Sequence, residues 1–312
     1  MHIAIIGTGG IGGYFGAKLA QAGNQVSFLA RGAHLAAIKE EGLHVQSVDG
    51  DFHLPKVRAT DTIAELGKAD LIILGVKAWQ VKEVAPELPA IMHEQTRVLP
   101  LQNGIMAADE LSQSVPKSQI LGGLCRIISL VKAPGVIQHK GVTPTIVFGE
   151  FHRERSADTQ KLQALFSEAG IKSKVTDDIT AELWKKFISI CISGLLAVTR
   201  TTYGEIRELP ETRELMIELL EEVYALSQKA GVNIPDTFIP KTVSFIDTFP
   251  YHSASSLTRD VLQGRPSEIE YQNGTVVRLG KQYGIPTPVN RFVYNCILPM
   301  EKRVRGTKSL GR

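Results

Sequence analysis

Apolar and polar positions along the chain follow two different rhythms. In the first, short apolar runs alternate with helix-compatible stretches. Residues 2–6 (HIAII), 25–30 (QVSFLA) and 70–77 (DLIILGVK) predict buried strands. Residues 14–22 and 33–41 predict helices, the second ended by Gly42. Asp49-Gly50, between alternating apolar positions in 43–55, predicts a hairpin. A short helix over 62–69, a strand over 96–101, a helix over 107–115 and a strand over 119–124 follow. Residues 126–131 and 136–139 flank Pro134-Gly135 and predict antiparallel strands. A strand over 145–148, a helix over 157–169 and a strand over 172–176 close this half. Such alternation predicts a parallel sheet with helices on both faces.

From Ile179 the rhythm lengthens to that of helices. Residues 179–198 are almost entirely apolar beyond Phe187, which predicts one buried helix. Residues 211–230 are amphipathic and stop at Gly231; 234–249, 255–262, 269–283 and 289–302 complete a helical half. The boundary falls at Asp177. The basic tail over 303–312 is expected to fray.

The strand over 2–6 runs into Gly7, Gly9 and Gly12 in G-x-G-x-x-G spacing, and a helix follows. Gly7 allows a tight turn, Gly9 lets a pyrophosphate approach the backbone, and Gly12 lets helix and strand pack closely. The helix N-terminus then presents unpaired N–H groups and a positive dipole end to the phosphates. The fold class is therefore an α/β N-terminal Rossmann-type dinucleotide-binding domain, residues 1–177, followed by an all-α C-terminal domain, residues 178–312. At the end of the second strand an NAD enzyme places an acid on the ribose hydroxyls. This chain has Arg31 there, which can fork onto a 2′-phosphate and predicts NADPH/NADP+.

Composition narrows the partners. With 312 residues, 43% hydrophobic and 21% charged, the chain can bury a sizeable core, and its net charge of +3 calls for neither nucleic acid nor a membrane surface. Cys125, Cys191 and Cys296 are scattered and out of metal-ligand spacing, which predicts buried thiols, a reducing compartment and no metal. The chain enters a strand at once and has no apolar run of membrane-spanning length; the expectation is a cytoplasmic protein without a signal peptide.

Several polar residues sit where chemistry could occur. Lys77 and Asn103 follow predicted strands, at the carboxyl ends where open α/β sheets bind ligands. Lys185 and Lys186 stand at the entrance of the buried helix, where partial burial would make an ammonium a better proton donor; from spacing alone, surface snorkelling is the favoured reading. Ser255-Ser256 and Ser267-Glu268 stand at helix starts, where N-capping and dipole contacts offer structural roles.

GTGGIG, Arg31, VKAWQ at 76–80, QNG at 102–104, AELWKK at 181–186, SSLTRD and GRPSEIEYQNG at 255–274 occur together and in order. In this the chain resembles the ketopantoate reductase family over essentially its whole length. The resemblance implies hydride transfer from NADPH to a small 2-oxo acid, with 2-dehydropantoate (ketopantoate) as the first expectation. It implies Lys186 as general acid, and a cofactor loop of Gly7, Thr8, Gly9, Gly10, Ile11 and Gly12 with Arg31. It places Lys77, Asn103 and Glu268 beside the nicotinamide half, and Asn103, Ser255 and Ser256 against the substrate. A homodimer remains open. The family usually carries asparagines four and eight residues after the lysine and another before the following Gly-Glu; this chain has Ile190, Gly194 and Tyr203. Spaced four apart, Lys186, Ile190 and Gly194 would share one helix face, with Gly194 leaving space. A more apolar pocket follows, and with it the alternative of a less polar 2-oxo acid. A non-catalytic NADP(H)-binding role is the alternative from another class.

Overall fold

The computed structural model describes residues 1–152 and 156–306. Contacts divide the chain into two compact units, residues 1–102 with 106–180, and residues 103–105 with 181–312.

The first unit runs β1 (His2–Ile6), α1 (Gly10–Gln21), β2 (Gln25–Leu29), α2 (Gly32–Glu41), β3 (Leu43–Ser47), β4 (Phe52–Leu54), β5 (Arg58–Thr60), β6 (Leu71–Leu74), α3 (Val81–Val84), β7 (Arg97–Pro100), α4 (Ala107–Leu111), β8 (Gly122–Ala133), β9 (Val136–Gly149), α5 (Ala157–Glu168) and β10 (Lys172–Val175). Its first sheet is parallel throughout, in the order β5-β2-β1-β6-β7. The apolar run of β1 serves both faces, as a central parallel strand must. Ile3 and Ile5 enter the core that holds Phe15, Phe28 and Phe148, while Ala4 and Ile6 enter the one that holds Leu66, Leu88 and Val98.

The predicted single sheet is in fact two. The second has the order β10-β9-β3-β4, with β8 antiparallel to β9. The strands expected over 119–124 and 126–131 fuse into β8, apart from a 3₁₀ turn at Lys117–Gln119, and those over 136–139 and 145–148 fuse into β9. Local pattern obscured the continuity because exposed polar residues interrupt each strand where the hairpin has one free face. The hairpin packs on α1: a Cβ on Gly10 would lie 2.4 Å from the Ser129 carbonyl oxygen, and one on Gly13 would lie 2.7 Å from Ile137 Cδ1.

The second unit is helical. It contains α6 (Ile179–Ile190) from Ala181 onward, α7 (Ile192–Thr199), α8 (Tyr203–Glu208), α9 (Pro210–Lys229), α10 (Phe238–Asp247), α11 (Ser256–Leu262), α12 (Asn273–Tyr283) and α13 (Pro288–Val304). Phe187, Ile192, Leu219 and Val293 are among its fully enclosed side chains. The helix expected over 179–198 is broken at Cys191, and α8 answers to no predicted element. Of the tail expected to fray, Arg303 and Val304 lie in α13, and residues 307–312 lie outside the described residues. Cys125 and Cys191 are buried as expected, but Cys296 is exposed, because it lies on the outer side of α13 while Val293 and Ile297 face the core. Among the described residues no helix is long and apolar enough to cross a membrane.

Candidate functional site

The glycine loop is built by three different demands on backbone space. Gly7 has φ +96°, and a Cβ there would lie 2.6 Å from Val76 Cγ1 and 2.8 Å from Val76 N. Gly12 is the close-packing glycine: its Cβ would lie 2.1 Å from the Gly7 carbonyl oxygen. Gly9 has open space on its Cβ side, with no atom within 4 Å. Thr8 ties the loop to the end of β2, its N–H and hydroxyl both donating to the Leu29 carbonyl at 3.0 and 2.8 Å. Ile11 packs against the core below. The first turn of α1 carries no acidic side chain and no side-chain cap. Its N–H groups are thus taken by no capping side chain, Gly9 beside them has open space on its Cβ side, and this donor set fits the pyrophosphate of a dinucleotide.

Two residues that local pattern did not single out hold this loop. Gly75, after β6, packs directly on Gly12: a Cβ on it would lie 2.7 Å from the Gly12 Cα. His34, in α2, bridges the loop and the hairpin turn. Its Nε2–H donates to the Thr8 carbonyl at 2.8 Å, and its Nδ1 accepts from the Gly135 N–H at 3.0 Å. Burial lowers its pKa, and the Thr8 bond offsets part of that.

Around the loop, Arg31 is exposed at the N-cap of α2, directly beyond β2. Lys77 is half-buried at the start of a 3₁₀ turn, its Nζ 5.9 Å from the Trp79 ring centroid. Gln102 braces the strand ends: its amide donates to the Leu74 and Val76 carbonyls at 2.9 and 3.1 Å.

In the second unit, Asn103 and Glu268 meet although 165 residues separate them. The Asn103 amide donates to Glu268 Oε2 at 3.1 Å, and Glu268 is only 5% exposed. Gly104, with φ +97°, allows the approach, since a Cβ there would lie 2.9 Å from the Tyr271 carbonyl oxygen.

Lys185 and Lys186 are both half-buried in α6. Lys185 pairs with Glu182 at 3.3 Å, a part-buried helical i,i+3 contact, and Lys186 lies one residue further round the helix. Ile190 packs at the edge of the helical core. Gly194 corrects the expectation of vacant space on this face. A Cβ there would lie 2.3 Å from Asn273 Oδ1 and 2.7 Å from Val293 Cγ1. The break at Cys191 has the same origin: the Asn273 amide donates to the Cys191 carbonyl at 3.0 Å and to Asn290 Oδ1 at 2.9 Å. A buried amide thus takes up the carbonyl where the helix is interrupted, and it fills the gap over Gly194.

The Tyr203 phenol is buried and hydrogen-bonded to the Ser193 side chain; burial raises its pKa to about 12. The Thr258 hydroxyl donates to the Ser193 carbonyl at 3.0 Å. Ser255 caps α11, its Oγ accepting from the Thr258 N–H at 3.0 Å. Ser256 is exposed in the first turn of that helix.

Comparison with known proteins covers nearly the whole chain. The family model described as "Ketopantoate reductase PanE/ApbA" matches residues 3–153, and its C-terminal counterpart matches residues 178–301. A 2-dehydropantoate 2-reductase of Nostoc is 32% identical over 309 residues, covering 97% of this chain and 96% of that protein. The crystal structure of a PanE/ApbA family ketopantoate reductase from Ralstonia eutropha superposes with a TM-score of 0.90 at 29% identity, covering 98% of this chain and all of the other. A D-mandelate dehydrogenase solved with NADH and anilino(oxo)acetate shares the fold, with a TM-score of 0.89 at 24% identity and 98% coverage of this chain.

Proposed function

The chain belongs to the ketopantoate reductase family of oxidoreductases, which use a nicotinamide dinucleotide, and on that premise we propose that it reduces a 2-oxo acid with NADPH, ketopantoate being the first substrate to test. The bound nicotinamide supplies a hydride. The protein's task is to hold the 2-oxo acid, deliver a proton to its carbonyl oxygen and stabilise the charge that develops there. Half-buried Lys186 is the proton donor. Ser256, with Ser255, holds the substrate carboxylate. Asn103 and Glu268 orient the reacting groups, and Lys77 lines the cofactor. The loop from Gly7 to Gly12 carries the pyrophosphate and exposed Arg31 carries the 2′-phosphate. One observation carries the reading: Asn103 and Glu268, distant in sequence and both marked by the family pattern, share a hydrogen bond in a largely buried setting. A protein that only binds the dinucleotide has no evident use for this largely buried acid-amide pair.

A second reading, a less polar 2-oxo acid, is favoured by the fate of the polar groups that could have replaced the missing amides. The Tyr203 and Thr258 hydroxyls are both committed to Ser193, and Asn273 fills the position over Gly194. A substrate hydroxyl buried against Ile190 without a partner would cost roughly 1–3 kcal/mol. The test compares kcat/KM for ketopantoate and 2-oxoisovalerate, which lacks the hydroxymethyl group, with NADPH and NADH. NADPH should be preferred, and Arg31→Ala should erase that preference. Lys186→Ala should lower turnover roughly 10²–10⁴-fold, with Lys185→Ala mild. A strong preference for ketopantoate would dismiss the second reading; no turnover with either acid would sink both.

A further inference from the structure

The turn that carries Glu268 is held from outside by the end of the last helix. Ser267, fully buried, donates its N–H to both carboxylate oxygens of Glu301, at 3.1 and 3.0 Å, and its hydroxyl to Oε2 at 2.7 Å. The Arg305 guanidinium donates to the Ser267 carbonyl at 3.0 Å and pairs with Glu301. Both polar backbone groups of Ser267 are thereby fixed by α13, immediately before the residue that meets Asn103.

The placement of Glu301 runs against its local interest. It lies in the last turns of α13, where the helix dipole disfavours an anion, and it is only 6% exposed. Neither cost brings a helix any benefit of its own. What the buried carboxylate does bring is directional: three charge-assisted acceptor contacts on one residue, locked by a guanidinium. A hydrophobic side chain could fill the same volume but could not set the rotation of the Ser267 backbone.

We infer that Glu301, braced by Arg305, is a positioning residue that orients Glu268 toward Asn103 and thereby toward the reacting groups. The inference rests on the role given to Glu268 and Asn103 above. Glu301 touches neither cofactor nor substrate in this account and acts only through the Ser267–Glu268 turn.

The experiment uses the full chain and four variants: Glu268→Gln, Glu301→Ala, Glu301→Gln and the double variant Glu268→Gln/Glu301→Ala. Steady-state kinetics with NADPH and whichever of ketopantoate or 2-oxoisovalerate is turned over are combined with NADPH binding by fluorescence. Thermal melting and hydrogen exchange over residues 265–273 complete the set. Displacing Glu268 slightly should lower kcat roughly 10- to 100-fold in Glu301→Ala. NADPH affinity should stay within about twofold, because the pyrophosphate loop is untouched. Exchange should rise locally in 265–273. Glu301→Gln, which keeps the shape and one acceptor, should fall between Glu301→Ala and wild type, and it serves if the alanine variant fails to fold. The double variant should be no slower than Glu268→Gln alone, since Glu301 acts through Glu268. A lower melting temperature with wild-type kcat in both Glu301 variants would overturn the inference, as would additive losses in the double variant. Wild-type kinetics in Glu268→Gln would instead defeat the assignment of Glu268 itself, and this inference with it.

Discussion

At the scale of single residues, His34 shows how one side chain can bind a loop in one protonation state only. Its Nδ1 accepts from Gly135 while its Nε2–H donates to Thr8, so the neutral ring satisfies both neighbours. An imidazolium has no acceptor and would set N–H against N–H at Gly135. Burial lowers the folded pKa below the ordinary value of 6.5. The unfolded chain therefore binds the proton more readily, and acid removes stability. The loss should begin as pH falls through about 6.5 and level off below the folded value. Urea midpoints of the wild type should thus decline more steeply between pH 7 and 5 than those of His34→Gln, whose amide can donate to Thr8 and accept from Gly135 at any pH. Parallel pH dependences in the two proteins would show that His34 is not the responsible group. The sequence displays this histidine without its meaning, because its partners stand 26 and 101 positions away. The position of Arg31, by contrast, is legible at once, since the end of the second strand follows from the local pattern, and the structure has it there at the N-cap of α2; its part in 2′-phosphate binding is the proposal made above.

At the scale of elements, the strands and glycines of the dinucleotide half were readable because their constraints are local. A strand–turn–helix with glycines in fixed spacing leaves few alternatives. The break between α6 and α7 was unreadable for the opposite reason. A run of apolar residues from Phe187 to Val198 predicts one buried helix, and only the Asn273 amide from α12 reveals why it stops. Gly194 is the sharpest test. On helix propensity alone, Gly194→Ala should stabilise α7 by about 1 kcal/mol. Its Cβ, however, would stand 2.3 Å from Asn273 Oδ1, in a side chain that is wholly buried and held by two hydrogen bonds of its amide. Overpacking of this kind costs roughly 1–3 kcal/mol and should win. Gly194→Ala is therefore expected to lower the unfolding free energy. In Asn273→Ala, which clears the space at its own cost, the same substitution should cost much less, so the pair should be strongly non-additive. A stabilising Gly194→Ala would mean that Asn273 yields freely and does not set the break.

At the scale of the molecule, the two rhythms of the sequence correspond to two units with separate cores, one built on paired sheets and one on helices. The sequence could announce that division because periodicity is a property of long segments. It could not announce that Asn103–Ile105 joins the helical unit, since three residues carry no rhythm. The chain supplies its own reporters of this organisation. Its two tryptophans fall one in each unit: Trp79 in the first, half-buried near Lys77, and Trp184 in the second, 7% exposed against Phe187. The residues proposed for the phosphates, Gly7 to Gly12 and Arg31, belong to the first unit alone. A ligand that binds only the native state raises stability by RT ln(1 + [L]/Kd), about 2.7 kcal/mol at a hundredfold excess over Kd. Adenosine 2′,5′-bisphosphate carries the 2′-phosphate and the 5′-phosphate without the nicotinamide. In Trp184→Phe, where Trp79 reports, it should shift the urea transition upward by about that amount. In Trp79→Phe, where Trp184 reports, the shift should be much smaller, because the linkage acts on the unit that binds. Adding Arg31→Ala should cut the Trp79 shift by weakening the 2′-phosphate contact, and adenosine 5′-monophosphate should then behave the same with or without Arg31. Equal shifts at both tryptophans would show that the chain unfolds as one cooperative body. No shift at Trp79 would remove the phosphates from the glycine loop.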